Sequence, residues 1–220
     1  MAMNPPVSPA AAARPAPPPA LPGFEHVRRA WNNHLGAYAA RILPGEYYVT
    51  RSDEGVGTTL GSCISACIRD RVAGIGGMNH FMLPTTTNQV DTWRSSGLGA
   101  ATRYGSYAME HLINEIMKNG GRRENLEVKI FGGGRILEKM TDVGLRNIAF
   151  VRNYLWAEEL ALVAEDVGDV YPRQVVYFPA SGRAKVKRLR SLHNNLIASA
   201  ELKYVDSIAA QPLGGAVELF

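Results

Sequence analysis

Cys63 and His80 are the residues of this chain best suited to covalent chemistry. Cys63 follows Gly61-Ser62, and His80 lies within Met78-Asn79-His80-Phe81-Met82-Leu83. A thiol at its unperturbed pKa of about 8.5 is mostly protonated at neutral pH, and an adjacent imidazole lowers that value by forming a thiolate–imidazolium pair. Such a thiolate attacks acyl carbons. A tetrahedral oxyanion forms, the amine leaves with a proton from the imidazole, and an imidazole-activated water hydrolyses the thioester. Backbone N–H groups around Ser62 and Cys63, where Gly61 frees the chain, are the candidates for holding the oxyanion. Taken singly, a buried cysteine is an inert core thiol and a lone histidine a satisfied polar group. The two together point to acyl transfer, whereas nothing near Cys67 marks it as activated.

These side chains need elements to position them. Residues 64–70 alternate in polarity and residues 74–83 are apolar and Gly-rich, so the segment reads as a hairpin turning at 70–73. Pairing Asp70 with Ala73 sets Cys63 directly opposite His80, with Cβ atoms about 4.5–5.5 Å apart. A slip of one residue would turn His80 to the other face. A Cys63–Cys67 disulfide within one strand is excluded by a Cα separation of roughly 13 Å. A zinc site on Cys63, Cys67 and His80 lacks a paired Cys-x-x-Cys and would need His111 or His193 as a fourth ligand. Neither a metal nor a cofactor is expected.

Further elements follow from periodicity: strands at 46–52, 126–131, 160–165, 174–179 and 184–189, the last two a hairpin across 180–182, and helices at 99–118 and 146–159. The first helix carries Ala101, Tyr104, Ala108, Leu112 and Met117 at helical spacing; the second turns Ile148, Val151 and Leu155 inward. Residues 192–210 form a third helix with an apolar stripe of Leu196, Ile197, Ala200, Tyr204 and Ile208, packed by default on its own domain. The pattern predicts an α+β layered sandwich, a mixed β-sheet with helices packed on it. Gly132-Gly133-Gly134-Arg135 lacks the Gly-Lys-Ser/Thr ending of a phosphate loop and reads as a turn that brings backbone close to the site.

The chain has 220 residues, 46% of them hydrophobic, enough for one well-buried domain with tails. Residues 1–23 are nearly all Pro, Ala and small residues and are expected to be disordered. The catalytic domain is expected over 24–190, and a C-terminal helix with a loose tail over 191–220. No signal peptide or membrane span is legible, so a cytoplasmic protein without membrane insertion is expected. The net charge of +4 owes much to Arg183, Lys185, Lys187, Arg188 and Arg190. That run reads as a solvated strand edge or a weak guide toward acidic partners. No nucleic acid is expected, because interleaved aromatics and nucleic-acid-binding motifs are missing.

Leu60-Gly61-Ser62-Cys63, the strand through Cys67 to Asp70, and Gly76-Gly77-Met78-Asn79-His80-Phe81-Met82-Leu83-Pro84 resemble the signature of the chemoreceptor glutamine deamidases, the CheD family. Arg103-Tyr104-Gly105, Lys129-Ile130-Phe131-Gly132-Gly133-Gly134, Gly144-Leu145-Arg146-Asn147 and Ala164-Glu165-Asp166 extend the likeness over roughly residues 45–195. The resemblance implies hydrolysis of particular glutamine amides on methyl-accepting chemotaxis receptors, with Cys63 as nucleophile and His80 as base and acid. It also implies a CheC-type CheY-phosphate phosphatase as a possible partner that covers the site. The family's third catalytic residue is a Thr at the position of Gly57, so orienting His80 falls to Thr58, Thr59 or a backbone carbonyl, with Thr58 the preferred candidate. Two other readings stand beside this one. The first is a non-catalytic module that binds receptor or phosphatase, favoured by the Thr missing at Gly57. The second is another Cys–His amidohydrolase or transglutaminase-like enzyme.

Overall fold

The computed structural model describes residues 14–83, 100–136, 143–189 and 194–210. Its strands are β1 (Arg29–Asn32), β2 (Ala37–Arg41), β3 (Tyr47–Thr50), β4 (Gly55–Leu60), β5 (Ile64–Asp70), β6 (Gly76–Asn79), β7 (Leu126–Gly132), β8 (Ala161–Val167), β9 (Arg173–Phe178) and β10 (Arg183–Arg188). The helices are α1 (Ala100–Lys118), α2 (Val143–Ala157) and α3 (Asn194–Ala210). The strands form two five-stranded sheets, ordered β1-β2-β4-β9-β10 and β3-β6-β5-β7-β8. The α+β layered reading therefore holds, with two mixed sheets in place of one.

Burial patterns give the layering. β5 is buried at almost every position, as a central strand covered on both faces must be. α1 and α2 cover one of those faces. β9 mixes buried and exposed positions, so the first sheet keeps a solvent face. α1 inserts Met109, Leu112, Ile113 and Ile116, while Met117 is 40% exposed, so the inward stripe is displaced from the expected one. Each such fully buried aliphatic side chain stabilises the fold by about 1.5–3 kcal/mol. Ile148, Val151 and Leu155 of α2 face inward as expected.

β1, β2 and β4 escape sequence reading. The first two are short and Ala-rich and carry weak period-two signals. They are joined by a turn in which Asn32 Oδ1 accepts from His34 N and Leu35 N, with Gly36 at φ 63°. Along the domain runs part of the Pro-rich segment: Tyr38 Oη donates to Pro15 O at 3.0 Å, and Ala20 and Leu21 pack on the core. β10 is an edge strand with exposed Arg183, Lys185, Lys187 and Arg188, a charged edge of the kind that discourages strand addition. Arg190 lies outside the described residues.

The hairpin register differs from expectation. Asp70 Oδ1 accepts from Val72 N and Ala73 N, and Gly74 adopts φ 67°, so the turn lengthens and Asp70 N bonds Ile75 O. Ile64 and Phe81 exchange both backbone bonds at 2.9 and 3.0 Å, and Cys67 pairs with Met78. Cys63 is therefore not directly opposite His80. A displacement of two residues keeps side chains on their faces, and Cys63 and His80 become diagonal neighbours.

Candidate active site

Cys63 sits where the chain passes from one sheet to the other. β4 ends at Leu60 in the first sheet, Gly61-Ser62 bend, and β5 begins at Ile64 in the second. The site is thus a corner between sheets, not one hairpin.

Three carbonyls fix the corner. Gly134 N donates to Gly61 O at 2.6 Å, Asn147 Nδ2 to Ser62 O at 2.8 Å, and Gly133 N to Cys63 O at 2.7 Å. Because a trans peptide holds C=O and the next N–H antiparallel in one plane, anchoring Gly61 O and Ser62 O aims the N–H groups of Ser62 and Cys63 the opposite way. The Gly-rich turn after β7 makes this possible. A Cβ on Gly132 would collide with Cys63 O, and Gly132 and Gly133 adopt φ 109° and 65°.

The N–H groups converge on one carboxylate, that of Glu201 from α3. Gly61 N and Cys63 N donate to its Oε1 at 2.8 and 3.2 Å; Ser62 N and Ser62 Oγ donate to its Oε2 at 2.9 and 2.6 Å. Glu201 is 2% exposed. Gly61 is required by this approach, since a Cβ there would lie 2.8 Å from Oε1. Gly61 and Ser62 therefore form an anion-binding corner beside the sulfur.

His80 is oriented from the first sheet. Thr58 Oγ1 donates to Ile42 O at 2.9 Å and lies 2.8 Å from His80 Nδ1. A hydroxyl has one proton, already given to Ile42, so it accepts from Nδ1–H. That fixes the tautomer: Nε2 carries the lone pair, buried and without a hydrogen-bond partner. Atoms of Cys63, His80 and Glu201 all lie within 4.8 Å of one another. Thr59, the other hydroxyl candidate, is not the one that meets the ring.

The protonation state departs from the expected thiolate–imidazolium pair. Burial pushes the Cys63 thiol well above its ordinary value, and the adjacent Glu201 carboxylate pushes it further. Burial lowers His80 to about 3. With Glu201 in place, the pair is a neutral thiol beside a neutral imidazole, because burial disfavours both charged forms and a negative neighbour disfavours a thiolate.

Cys63, His80 and Glu201 also have the ligand types of a metal centre, a different set from Cys63, Cys67 and His80. The donors argue against a cation. Both oxygens of Glu201 already accept hydrogen bonds, and the N–H groups around them present their positive ends to the position a cation would take. Cys67 is a buried thiol in mid-strand, its pKa pushed up by burial. His111 lies between Tyr47 and Tyr107, with ring centroids 6.0 and 4.0 Å away. His193 lies outside the described residues.

A cleft of about 600 Å³ opens beside His80, walled by Gly45, Tyr47, Tyr104, His111 and Tyr204. Sequence reasoning missed the roles of Glu201, of Asn147 and of Tyr104 and Tyr204, whose hydroxyls share a hydrogen bond. The available signal for Glu201 was an acid between Ile197 and Tyr204 on the apolar stripe of α3. Leu196 and Ala200, assigned to that stripe, are exposed instead, and the side chain of Ile208 lies outside the described ones.

A family profile described as CheD chemotactic sensory transduction matches residues 82–188. A protein of Halorhodospira halophila, named probable chemoreceptor glutamine deamidase CheD, is 52% identical over 92% of this chain and 94% of its own length. Proteins of the same name from Hahella chejuensis and Methylobacillus flagellatus are 50% and 54% identical over 94% and 83% of this chain, and over 97% and 89% of their own lengths. Identity of this order across nearly the whole chain means that it belongs to the CheD family.

Proposed function

We propose that this protein deamidates glutamine side chains of chemoreceptors, with Cys63 as nucleophile, His80 as general base and acid, and Thr58 orienting His80. His80 Nε2 takes the thiol proton as Sγ attacks the amide carbon. The oxyanion is held by the N–H groups of Gly61 and Cys63, with Ser62 beside them. The proton passes to the departing nitrogen, ammonia leaves, and a water deprotonated at Nε2 releases glutamate from the thioester. The observation that carries this reading is the convergence of backbone donors on a single carboxylate within reach of Cys63 and His80. The relatives' printed names supply the substrate class.

The non-catalytic reading leaned on the hydroxyl missing at Gly57. Thr58 Oγ1 supplies one at His80 Nδ1. Among the described residues no helix is long and apolar enough to cross a membrane, and we place the reaction in the cytoplasm. A CheC-type phosphatase is a candidate partner at the cleft beside His80. The test is incubation with a receptor fragment, following a gain of about 1 Da at a glutamine, with Cys63→Ala as the control for covalent catalysis. Equal conversion by the variant overturns the assignment of Cys63, and no conversion by the wild type overturns the activity.

A further inference from the structure

We propose that α3 is a built-in occupant of the substrate site, presenting Glu201 to Cys63 as a stand-in for the glutamate that deamidation produces. The inference rests on the deamidase reading.

Three observations carry it. Glu201 is an acceptor-only group set among four donors: the Gly61 and Cys63 N–H groups assigned to the oxyanion, and the N–H and hydroxyl of Ser62 beside them. Those donors suit a carboxylate or a tetrahedral oxyanion better than a neutral amide, whose NH2 would meet an N–H head-on. Next, Tyr204 is one of the side chains that seat the helix. Tyr204, one turn beyond Glu201, shares a hydrogen bond with Tyr104 Oη. Its ring lies over Gly45, where a Cβ would stand 3.1 Å from Tyr204 Oη. Leu196 and Leu202 of α3 are 75% and 43% exposed, while Ile197 is half-buried. Finally, Tyr204 of α3 walls the open cleft beside His80 together with Tyr47, Tyr104 and His111, so the helix forms one side of the space next to the site.

The consequence is a self-covered resting state. Glu201 blocks the approach to Sγ, and its charge adds to burial in keeping the thiol neutral. A receptor glutamine reaches Cys63 only in the fraction of molecules whose α3 has lifted, and apparent affinity falls by that fraction. A displaced α3 exposes the thiol to solvent and removes the negative neighbour, two changes that favour thiolate.

The decisive variant is Glu201→Gln in the full chain, nearly isosteric and self-reporting. The thiol proton passes to His80 Nε2 as Sγ bonds to the carbon of the amide introduced at position 201. The C–N bond breaks, ammonia leaves with that proton, and water cleaves the thioester, so amide plus water becomes carboxylate plus ammonium. Position 201 is expected to read as glutamate by peptide mass, about 1 Da heavier, while the double variant Cys63→Ala with Glu201→Gln keeps its amide. An amide that persists at position 201 in a protein that still deamidates a receptor fragment overturns the inference and leaves the deamidase reading intact. An amide that persists there in a protein inactive on the receptor overturns both. Independently, Glu201→Ala and Tyr204→Ala are each expected to raise the rate of iodoacetamide alkylation at Cys63 roughly tenfold or more. Unchanged alkylation in both contradicts the covered resting state.

Discussion

Replacing Thr58 by valine tests the reasoning about His80 most directly, because it removes one oxygen and keeps a β-branched side chain. Thr58 is 7% exposed, donates to Ile42 O at 2.9 Å and accepts from His80 Nδ1 at 2.8 Å. In Thr58→Val both partners are left unpaired, and each buried group so left costs about 1–3 kcal/mol. At the imidazole the same 1–3 kcal/mol is the bias toward the Nδ1–H tautomer, about 5- to 150-fold in its population. The proton that leaves Nδ1 moves to Nε2, where it faces the sulfur and blocks proton abstraction. The deamidation rate on a receptor fragment is therefore expected to fall by that factor, with the ring-nitrogen NMR shifts of His80 exchanging toward the Nε2–H pattern. Thr58→Ser, which keeps the hydroxyl, is expected to stay near the wild-type rate. A valine variant within about twofold of wild type and with unaltered nitrogen shifts refutes the orienting role, as does a serine variant as impaired as valine.

Three further outcomes follow from the same geometry. Because His80 is held at about 3 in the folded state against about 6.5 unfolded, acid favours the unfolded chain. The stability from its burial is present above 6.5 and is lost as pH falls toward 3. Between pH 7 and 5, urea unfolding of the wild type is expected to lose about 2 kcal/mol more than that of His80→Leu, and parallel pH profiles contradict this. Asn147→Ala strands Ser62 O and Leu83 N, both partners of its buried amide. It is expected to cost about 2–6 kcal/mol in chemical denaturation and to lower kcat, with Asn147→Asp between it and wild type because the acceptor for Leu83 N survives. Gly132→Ala drives a Cβ into Cys63 O at φ 109° and is expected to abolish activity and lower the melting temperature sharply. Gly74→Ala, at φ 67° with open space around it, is expected to cost only about 1 kcal/mol in thermal melts.

Much of this was legible along the chain, because some signals are local. A free thiol behind Gly-Ser, an imidazole on a Gly-rich strand and a triple-glycine turn are properties of short segments, and they identify Cys63, His80 and the loop that presses on them. Period-two and helical spacing likewise located β5, β7, β9, β10 and α2, since burial of one face leaves its rhythm in the residues themselves. What remained hidden depends on pieces distant in sequence. The turn that Asp70 caps set the hairpin register, through hydrogen bonds that no pattern of hydrophobicity records. Thr58 meets His80 because the chain changes sheets at Gly61-Ser62, a crossing visible only once both sheets exist. Glu201, some 138 residues beyond Cys63, completes the site through α3 and reverses the expected charge state of the thiol. Residue types alone determined which chemistry was available. Tertiary structure decided which groups share a site and which protonation states prevail, because desolvation and hydrogen bonding depend on who is near whom in space.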